Sequence, residues 1–474
     1  MVIGNDRVEV TGLEYHSKRI TPNALFVAIT GFQQDGNVWI DEAVARGASA
    51  VVTERPSERS VPQVVVSNAR AALADLAVVF CGYDAAVMRV FGVTGTNGKT
   101  TSCFLIRKIL EAHGISAGII TSLVYDTGAN RMPAVRTTPE SLDIFRMLQE
   151  MRRSGCRQAV IEISSHALVL HRVRNLKVDI ALFTNISRDH LDFHADMNDY
   201  LNAKAKLLDM TVGPTKWAVI NRDCPEFEPL FGRARCLTMS YGIENGDADV
   251  HLKDCRLSPS GSTFELCTPQ GSRRVSMVLT GRYNLYNAVA AAAAATAAGI
   301  SLNAIVAGLE ASSVVPGRLE RVESKAPFAV FVDYAHTPDA LTRTIATLRE
   351  IGSGKILTLF GCGGDRDRGK RPLMGRAVTE VSDYAVLTTD NPRTEDPAQI
   401  LEDVKPGFVP GPQVDVILDR REAIYHILGR AQAGDIVLLA GKGAENYQEI
   451  HGVRHPFSDK DIAVENLHRL GYDT

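Results

Sequence analysis

Apolar residues fall in short continuous runs separated by segments of helical spacing, and this pattern divides the chain into three stretches. In the first, Leu25-Phe26-Val27-Ala28-Ile29, Ala50-Val51-Val52 and Val64-Val65-Val66 read as short buried strands. The segments from Trp39 to Arg46 and from about Asn68 to Cys81 read as helices. Residues 1–88 are therefore expected to form a small α/β domain of alternating elements.

The second stretch opens with a strand from Val87 to Val93 and runs to about Pro316. Strands over 159–163, 180–184 and 218–220 alternate with helices there, which predicts a mostly parallel sheet. From about Leu237 to Leu279 the texture changes to alternations such as Thr263-Phe264-Glu265-Leu266, expected to be antiparallel strands inserted as a subdomain. The run from Ala288 to Ala298 is too short and too weakly apolar to span a bilayer. Its alanines predict a helix at a close-packed interface. The third stretch, after Pro316-Gly317, carries strands over 329–332, 356–360, 384–388 and 436–439 between helical segments, a second doubly wound pattern. The expected fold class is α/β in three domains, 1–88, 89–316 and 317–474.

Length agrees: 474 residues at roughly 150 per domain give about three. Lys and Arg number 52 against 55 Asp and Glu, a net charge of −3, which excludes a globally basic nucleic-acid binder and a strongly acidic disordered chain. The eight cysteines form no C-x-x-C pair, which argues against a zinc ribbon or a thioredoxin-type site and fits a reducing cytosol. Met1 to Arg7 contains no basic region followed by an apolar stretch, so no signal peptide is expected. A cytoplasmic location with no nucleic-acid or membrane partner follows as the expectation.

Candidate chemistry concentrates first in Val93-Thr94-Gly95-Thr96-Asn97-Gly98-Lys99-Thr100-Thr101. A buried strand, a glycine turn and a helix form a phosphate cradle: backbone N–H groups converge and the helix N-terminus favours anions. Lys99 is placed to reach the β- and γ-phosphates, and the Thr100 hydroxyl to ligate Mg²⁺. Val93 stands where the strict Walker pattern has its first glycine, so the loop is a shorter G-T-N-G-K-T form. The central sheet is thus expected to be P-loop ATPase-like, and the third domain Rossmann-like.

Two later strand ends carry acids and histidines. Glu162 ends one strand, before Ser164-Ser165-His166, and a carboxylate there can hold Mg²⁺ beside a nucleotide. The next strand runs into Asp189-His190-Leu191-Asp192-Phe193-His194, where His190 and His194 would share a face if helical. Leu191 occupies the position where a zinc protease needs glutamate, so that reading fails.

With these motifs in order, the sequence resembles the Mur ligases over essentially its whole length. The matching segments are the phosphate loop, Glu162 to His166, Asp189 to Asp192, Tyr200 to Lys204, Gly281-Arg282-Tyr283-Asn284-Leu285-Tyr286-Asn287, Pro316-Gly317-Arg318 and Asp333-Tyr334-Ala335-His336-Thr337-Pro338. Asp390-Asn391-Pro392-Arg393 is similar to the pattern of members that add meso-2,6-diaminopimelate to a UDP-N-acetylmuramoyl dipeptide.

The resemblance implies an ATP-dependent amide-bond ligase of peptidoglycan precursor synthesis, expected to act as a monomer, with the following site residues. ATP would be held by Gly95, Thr96, Asn97, Gly98, Lys99, Thr100, Thr101, Asn287 and Arg318, and its ribose by Asp333. Two Mg²⁺ ions would be shared among Thr100, Glu162, His190 and Lys204, the last as a CO₂-derived carbamate. Lys206 competes for that role, but the spacing from Tyr200 favours Lys204. His336 lies in the family's active-site motif. Ser17, Gly31, Phe32 and Gln33 would hold the uridine end, and Thr137, Thr138, Ser164, Leu170 and Arg172 the sugar-peptide. Arg366, Asp390, Asn391, Pro392, Arg393, Gly441 and Glu445 would select diaminopimelate. The chain departs from the family pattern at His16 and Lys18, which flank Ser17, at Leu170, often glutamine, and at Ala444, usually histidine. Rival readings are a lysine-adding or folylpolyglutamate-type ligase and, from another class, a P-loop ATPase or kinase.

Overall fold

The computed structural model describes residues 1–31, 35–56, 58–312 and 315–473. Phe32 and Gln33, expected at the uridine end, lie outside the described residues. The chain divides into two units. One comprises Met1–His251, Cys267–Ser272 and Asn287–Gly308; the other comprises Leu252–Leu266, Arg273–Tyr286 and Leu309–Thr474.

The first unit begins with a five-stranded sheet in the order Val2–Ile3, Gln63–Val65, Ala48–Thr53, Ala24–Val27, Gly12–Glu14. Only the Val2–Ile3 edge is antiparallel. All four residues of Ala24–Val27 are buried, which is why that strand reads as a run and not as an alternation. The helix Ala69–Phe80 is capped by Asn68, whose side chain accepts the Ala71 N–H. It buries Ala69, Leu73, Ala74 and Ala77 along one face.

In the large sheet of this unit, strand Arg89–Thr94 lies between Gln158–Glu162 and Ile180–Phe183, all parallel. Ala117–Ile120 continues the parallel order on one side, followed by the antiparallel edge strands Val124–Asp126 and Arg131–Pro133. On the other side come Trp217–Asn221 and Leu237–Gly242. The last corrects the sequence reading. Leu237–Gly242 runs parallel to its neighbour and does not open an antiparallel insert. Its crossover includes the helix Glu228–Arg233, six residues with proline at its start and too short to show a period. The hairpins begin later, in strands Val250–Ser258, Gly261–Thr268 and Gly271–Met277. Their two-residue connections can join only antiparallel strands.

The alanine-rich helix Arg282–Ala297 is buried as expected: Ala288 to Ala295 are at most 1% exposed. Nearby, a Cβ on Gly308 would stand 2.4 Å from the Ile109 Cα, so glycine is what lets helices Leu302–Glu310 and Lys99–Ala112 approach. Among the described residues no helix is long and apolar enough to cross a membrane.

The second unit is built on a six-stranded sheet in the order Glu320–Val322, Ala329–Asp333, Ile436–Ala440, Ile356–Phe360, Tyr384–Leu387, Gln413–Val416. The first pair is antiparallel and the rest are parallel. Asp333, Gly441, Arg366 and Asp390 stand at or just beyond the C-terminal ends of four of these strands, where an open α/β sheet forms its ligand crevice.

Candidate active site

The phosphate loop has the expected strand–turn–helix form, from Arg89–Thr94 to Lys99–Ala112. Gly95 has φ +146° and Gly98, the helix cap, φ +81°. A Cβ on Gly95 would stand 1.9 Å from Thr184 Oγ1, and one on Gly98 2.2 Å from Asn287 Oδ1. The glycines therefore also admit these two side chains against the loop. The Thr96 N–H donates to the Asn185 carbonyl and the Asn97 N–H to Asn185 Oδ1, at 2.8 and 2.9 Å. The remaining loop donors are the amides of 98–101 at the open end of the helix. Lys99 Nζ turns back to donate to the carbonyls of Gly95 (3.2 Å) and Thr96 (2.9 Å), 3.9 Å from Glu162 Oε1.

Glu162 is 3% exposed at the end of its strand. Its Oε2 accepts from the Thr100 hydroxyl at 2.8 Å and from the Ser122 N–H at 3.0 Å. Lys204, on helix Met197–Asp209, is 1% exposed. Its Nζ donates to the Gly95 carbonyl at 2.7 Å and lies 4.2 Å from the centre of the Tyr200 ring. Burial, followed by the Lys99 charge, pushes the Lys204 amine well below the usual lysine range, against the opposing pull of Asp189 and Glu162. His190 lies in the same group of rings, 6.1 Å from Tyr200 and 4.8 Å from His166. His166 is itself stacked on Phe193 at 4.1 Å, and burial, followed by the neighbouring histidines, pushes it down to about 4. The 190–196 segment is a turn and not a helix. His190 has φ +54°, so the proposed shared helical face of His190 and His194 is corrected. His194 is buried instead, with Nε2 3.0 Å from Ser165 Oγ.

A metal fits this donor set. The Glu162 carboxylate and Thr100 hydroxyl are hard oxygen donors of the kind Mg²⁺ takes, and His190 feels the charge of Lys99, which lies 3.9 Å from Glu162. Among the described residues no group of three or more His, Cys, Asp or Glu is placed to hold a metal unaided.

The sugar-peptide candidates gather one strand end away. Thr138 donates to the Glu162 carbonyl at 2.8 Å and accepts from the Ser164 N–H at 3.1 Å. Ser164 caps the short helix Ser165–Val169, whose C-cap is Leu170, and Thr137 is half-buried beside Thr138. Arg172 donates to the Thr138 carbonyl and to Glu140 Oε1. The same Glu140 oxygen takes Arg70 and Arg136, so three guanidinium groups meet one buried carboxylate, an excess of positive charge. Sequence reading missed Arg70, Arg136 and Glu140, since neither spacing nor motif ties residue 70 to residue 172. Ser17 is 6% exposed, its hydroxyl donating to Glu42, and Gly31 lies on the loop after strand Ala24–Val27.

In the second unit Asp333 is 7% exposed and accepts the N–H groups of Leu319 (2.7 Å) and Ala335 (2.8 Å). Burial pushes its pKa up, against the Arg318 charge. Arg318 lies 5.0 Å from the centre of the Tyr334 ring, and His336 Nδ1 faces the Tyr334 carbonyl at 2.7 Å. The diaminopimelate candidates converge. Arg393, at φ +53°, donates from Nη1 to the Gly364 carbonyl at 2.6 Å. A Cβ on Gly363 would be 3.0 Å from that Nη1 and 3.9 Å from Arg366 Cγ, so both arginines flank Gly363. Asn391 Nδ2 donates to Glu445 Oε2 at 2.9 Å, next to buried Pro392 and Gly441. The departure at Ala444 falls on an exposed position.

Comparison with known proteins covers the same ground. Residues 9–80 match the family model "Mur ligase family, catalytic domain", 93–295 the Mur ligase middle domain and 317–443 the glutamate ligase domain. UDP-N-acetylmuramoyl-L-alanyl-D-glutamate--2,6-diaminopimelate ligase of Geobacillus thermodenitrificans is 42% identical over 462 residues, 96% of this chain and 94% of that protein. The protein of the same name from Geobacillus kaustophilus is 42% identical over 463 residues, with the same coverage. A solved structure of a ligase of that name aligns with TM-score 0.70 at 35% identity, over 98% of this chain and 95% of the other. The architecture is the three-domain α/β fold of those structures. Three family models in order along one chain, together with relatives matched over nearly their whole length, establish that the chain belongs to the Mur ligase family.

Proposed function

We propose that this chain is an ATP-dependent ligase that adds meso-2,6-diaminopimelate to UDP-N-acetylmuramoyl-L-alanyl-D-glutamate, forming an amide through an acyl phosphate. The observation that carries the choice of amino acid is the cluster in the second unit: Arg366 and Arg393 flank Gly363, and Asn391 is bonded to Glu445. Diaminopimelate has a second ammonium and a second carboxylate at its far end. A guanidinium can grip that carboxylate with two parallel hydrogen bonds, and Glu445 pairs with the ammonium. Asp390, Asn391, Pro392 and Gly441 shape the same pocket.

A carboxylate does not react with an amine at neutral pH. The dipeptide carboxylate attacks the γ-phosphorus of ATP, ADP leaves, and an acyl phosphate results. The amine then attacks the acyl carbon, inorganic phosphate leaves, and the amine sheds a proton. Phosphoryl transfer asks mainly for positioning and charge neutralisation. Lys99 and the amides of 98–101 hold the phosphates, with Gly95, Thr96 and Asn97 shaping the turn. Asn287, Arg318 and Asp333 hold the rest of the nucleotide, and His336 lines the reacting end. Thr137, Thr138, Ser164, Leu170 and Arg172 orient the dipeptide, and Ser17 and Gly31 meet the uridine end. Thr100, Glu162, His190 and carbamylated Lys204 would hold Mg²⁺. When bound, the metal neutralises developing phosphoryl charge. In this reading 1–88 serves the uridine end, 89–316 ATP and 317–474 the amino acid, in a cytoplasmic monomer.

Carbamylation of Lys204 is supported by its surroundings. A neutral amine attacks CO₂, a C–N bond forms and one proton is released, leaving a carbamate. Burial pushes the Lys204 amine well below the usual lysine range, which favours the neutral form, and its Nζ donates to a backbone carbonyl, that of Gly95. Carbon-13 bicarbonate is expected to give a carbamate NMR signal that disappears in Lys204→Ala and survives in Lys206→Ala. Persistence in Lys204→Ala overturns the assignment.

Phosphate release from ATP tests the function. It is expected to require both the muramoyl dipeptide and diaminopimelate, with lysine a poor substitute. Release without either acceptor would make the chain an ATPase. Within that assay, Arg393→Ala is expected to raise the KM for diaminopimelate at least about tenfold and leave that for ATP nearly unchanged, since losing a buried charged partner is costly. Unchanged diaminopimelate kinetics would sink the role given to Arg393.

A further inference from the structure

Lys442 has no part in the reading above, yet the structure spends much on placing it. It follows strand Ile436–Ala440 and stands between two left-handed glycines, Gly441 at φ +113° and Gly443 at φ +52°. A Cβ on Gly441 would come within 2.7 Å of Asp390 Oδ2, and one on Gly443 within 2.8 Å of the Gly317 carbonyl oxygen. Glycine is thus required on both sides of Lys442, whose side chain is 0% exposed.

A buried ammonium must be paired. Lys442 Nζ donates to Asn391 Oδ1 at 3.1 Å and to Glu445 Oε2 at 3.0 Å, and it lies 5.6 Å from the centre of the Tyr447 ring. Asn391 Nδ2 donates to the same Glu445 oxygen, which closes a triangle. The Glu449 N–H donates to Asn391 Oδ1 at 2.9 Å, so the orientation of the amide is set by its neighbours. Two consequences follow. Glu445 is engaged through Oε2 alone, and its Oε1 accepts no hydrogen bond among the described residues. Its negative charge is also balanced from behind, beside the carboxylate of Asp390.

We propose that Lys442 is a specificity-determining positioning residue. It aims Glu445 and Asn391 and balances their charge, so that the pocket accepts an amino-acid end bearing both ammonium and carboxylate in preference to an ammonium alone. This rests on the diaminopimelate reading above. Without Lys442 the pocket gains one net negative charge, which repels the far carboxylate of diaminopimelate but not the side chain of lysine.

The test is steady-state phosphate release by the full chain with ATP, the muramoyl dipeptide and either meso-diaminopimelate or L-lysine. Wild type is run first: no turnover with diaminopimelate would refute the functional reading itself. Given turnover, Lys442→Met is expected to raise the KM for diaminopimelate at least about tenfold, to leave the KM for ATP and dipeptide unchanged, and to shift relative efficiency toward lysine. A merely structural role would raise all three KM values together, or lower kcat alone, and leave the diaminopimelate-to-lysine ratio where it was; either result overturns the proposal. Lys442→Gln keeps a donor for Glu445 and removes only the charge. It is expected to show the same shift in preference, and it decides the question if the methionine variant does not fold.

Discussion

Lys99→Ala is expected to lower kcat for phosphate release by about a hundredfold to a thousandfold in a chain that remains folded. The estimate is the usual cost of removing one preorganised donor aimed at developing charge. Among the described residues Lys99 Nζ donates only to the carbonyls of Gly95 and Thr96, groups a ligand can replace, and it stands 3.9 Å from Glu162. Glu162 keeps the Thr100 hydroxyl and the Ser122 N–H when Lys99 is gone, so the strand end need not collapse. Phosphate release at saturating substrates, with a thermal melt as the check on folding, measures the effect. A melt close to wild type together with activity within tenfold would remove Lys99 from the phosphate site.

The largest expected loss of stability comes from a pair far from the nucleotide. Arg420 and Asp459 have side chains 0% exposed, joined by two hydrogen bonds of 2.8 and 2.6 Å. Arg420 also donates to the Ala440 carbonyl at 2.9 Å and reaches the Thr389 carbonyl at 3.5 Å. Asp459→Ala leaves a guanidinium buried without its counter-charge, which typically costs about 3–5 kcal/mol. A lower urea midpoint is expected for the transition that reports on the second unit. Replacing both partners, with Arg420→Met and Asp459→Leu, is expected to cost less than Asp459→Ala, because no uncompensated charge is left. A double variant weaker than the single one would show that the pair stabilises by more than mutual neutralisation. Ala440 and Thr389 immediately precede Gly441 and Asp390, so the same variant is expected to loosen the diaminopimelate pocket as well.

The strands were legible where burial on both faces makes a parallel strand a continuous apolar run, as in Gln158–Glu162, Ile356–Phe360 and Ile436–Ala440. Direction was not. Leu237–Gly242 has the composition of an antiparallel strand and runs parallel, because a short proline-led helix carries the chain across. The histidine spacing also misled: His190 adopts a left-handed backbone, and the four-residue interval there measures a turn.

The strand–turn–helix form of the loop at 95–100 could be read from its residues because its signals are local: two glycines, a lysine and a threonine within six positions. So could the order of the three domains, since each carries its own run of strands and motifs. Folding supplies what is long-range. It gathers Arg70, Arg136 and Arg172 on Glu140, and it closes Asn391, Lys442 and Glu445 into one network. It also turns Lys204 and Lys442, two of many lysines along the chain, into buried ones. Burial changes what an ammonium can do: Lys204 is pushed toward the neutral amine and Lys442 is bound to fixed partners. That difference between lysines depends on which distant segments pack around each one, and no local pattern of residues encodes it.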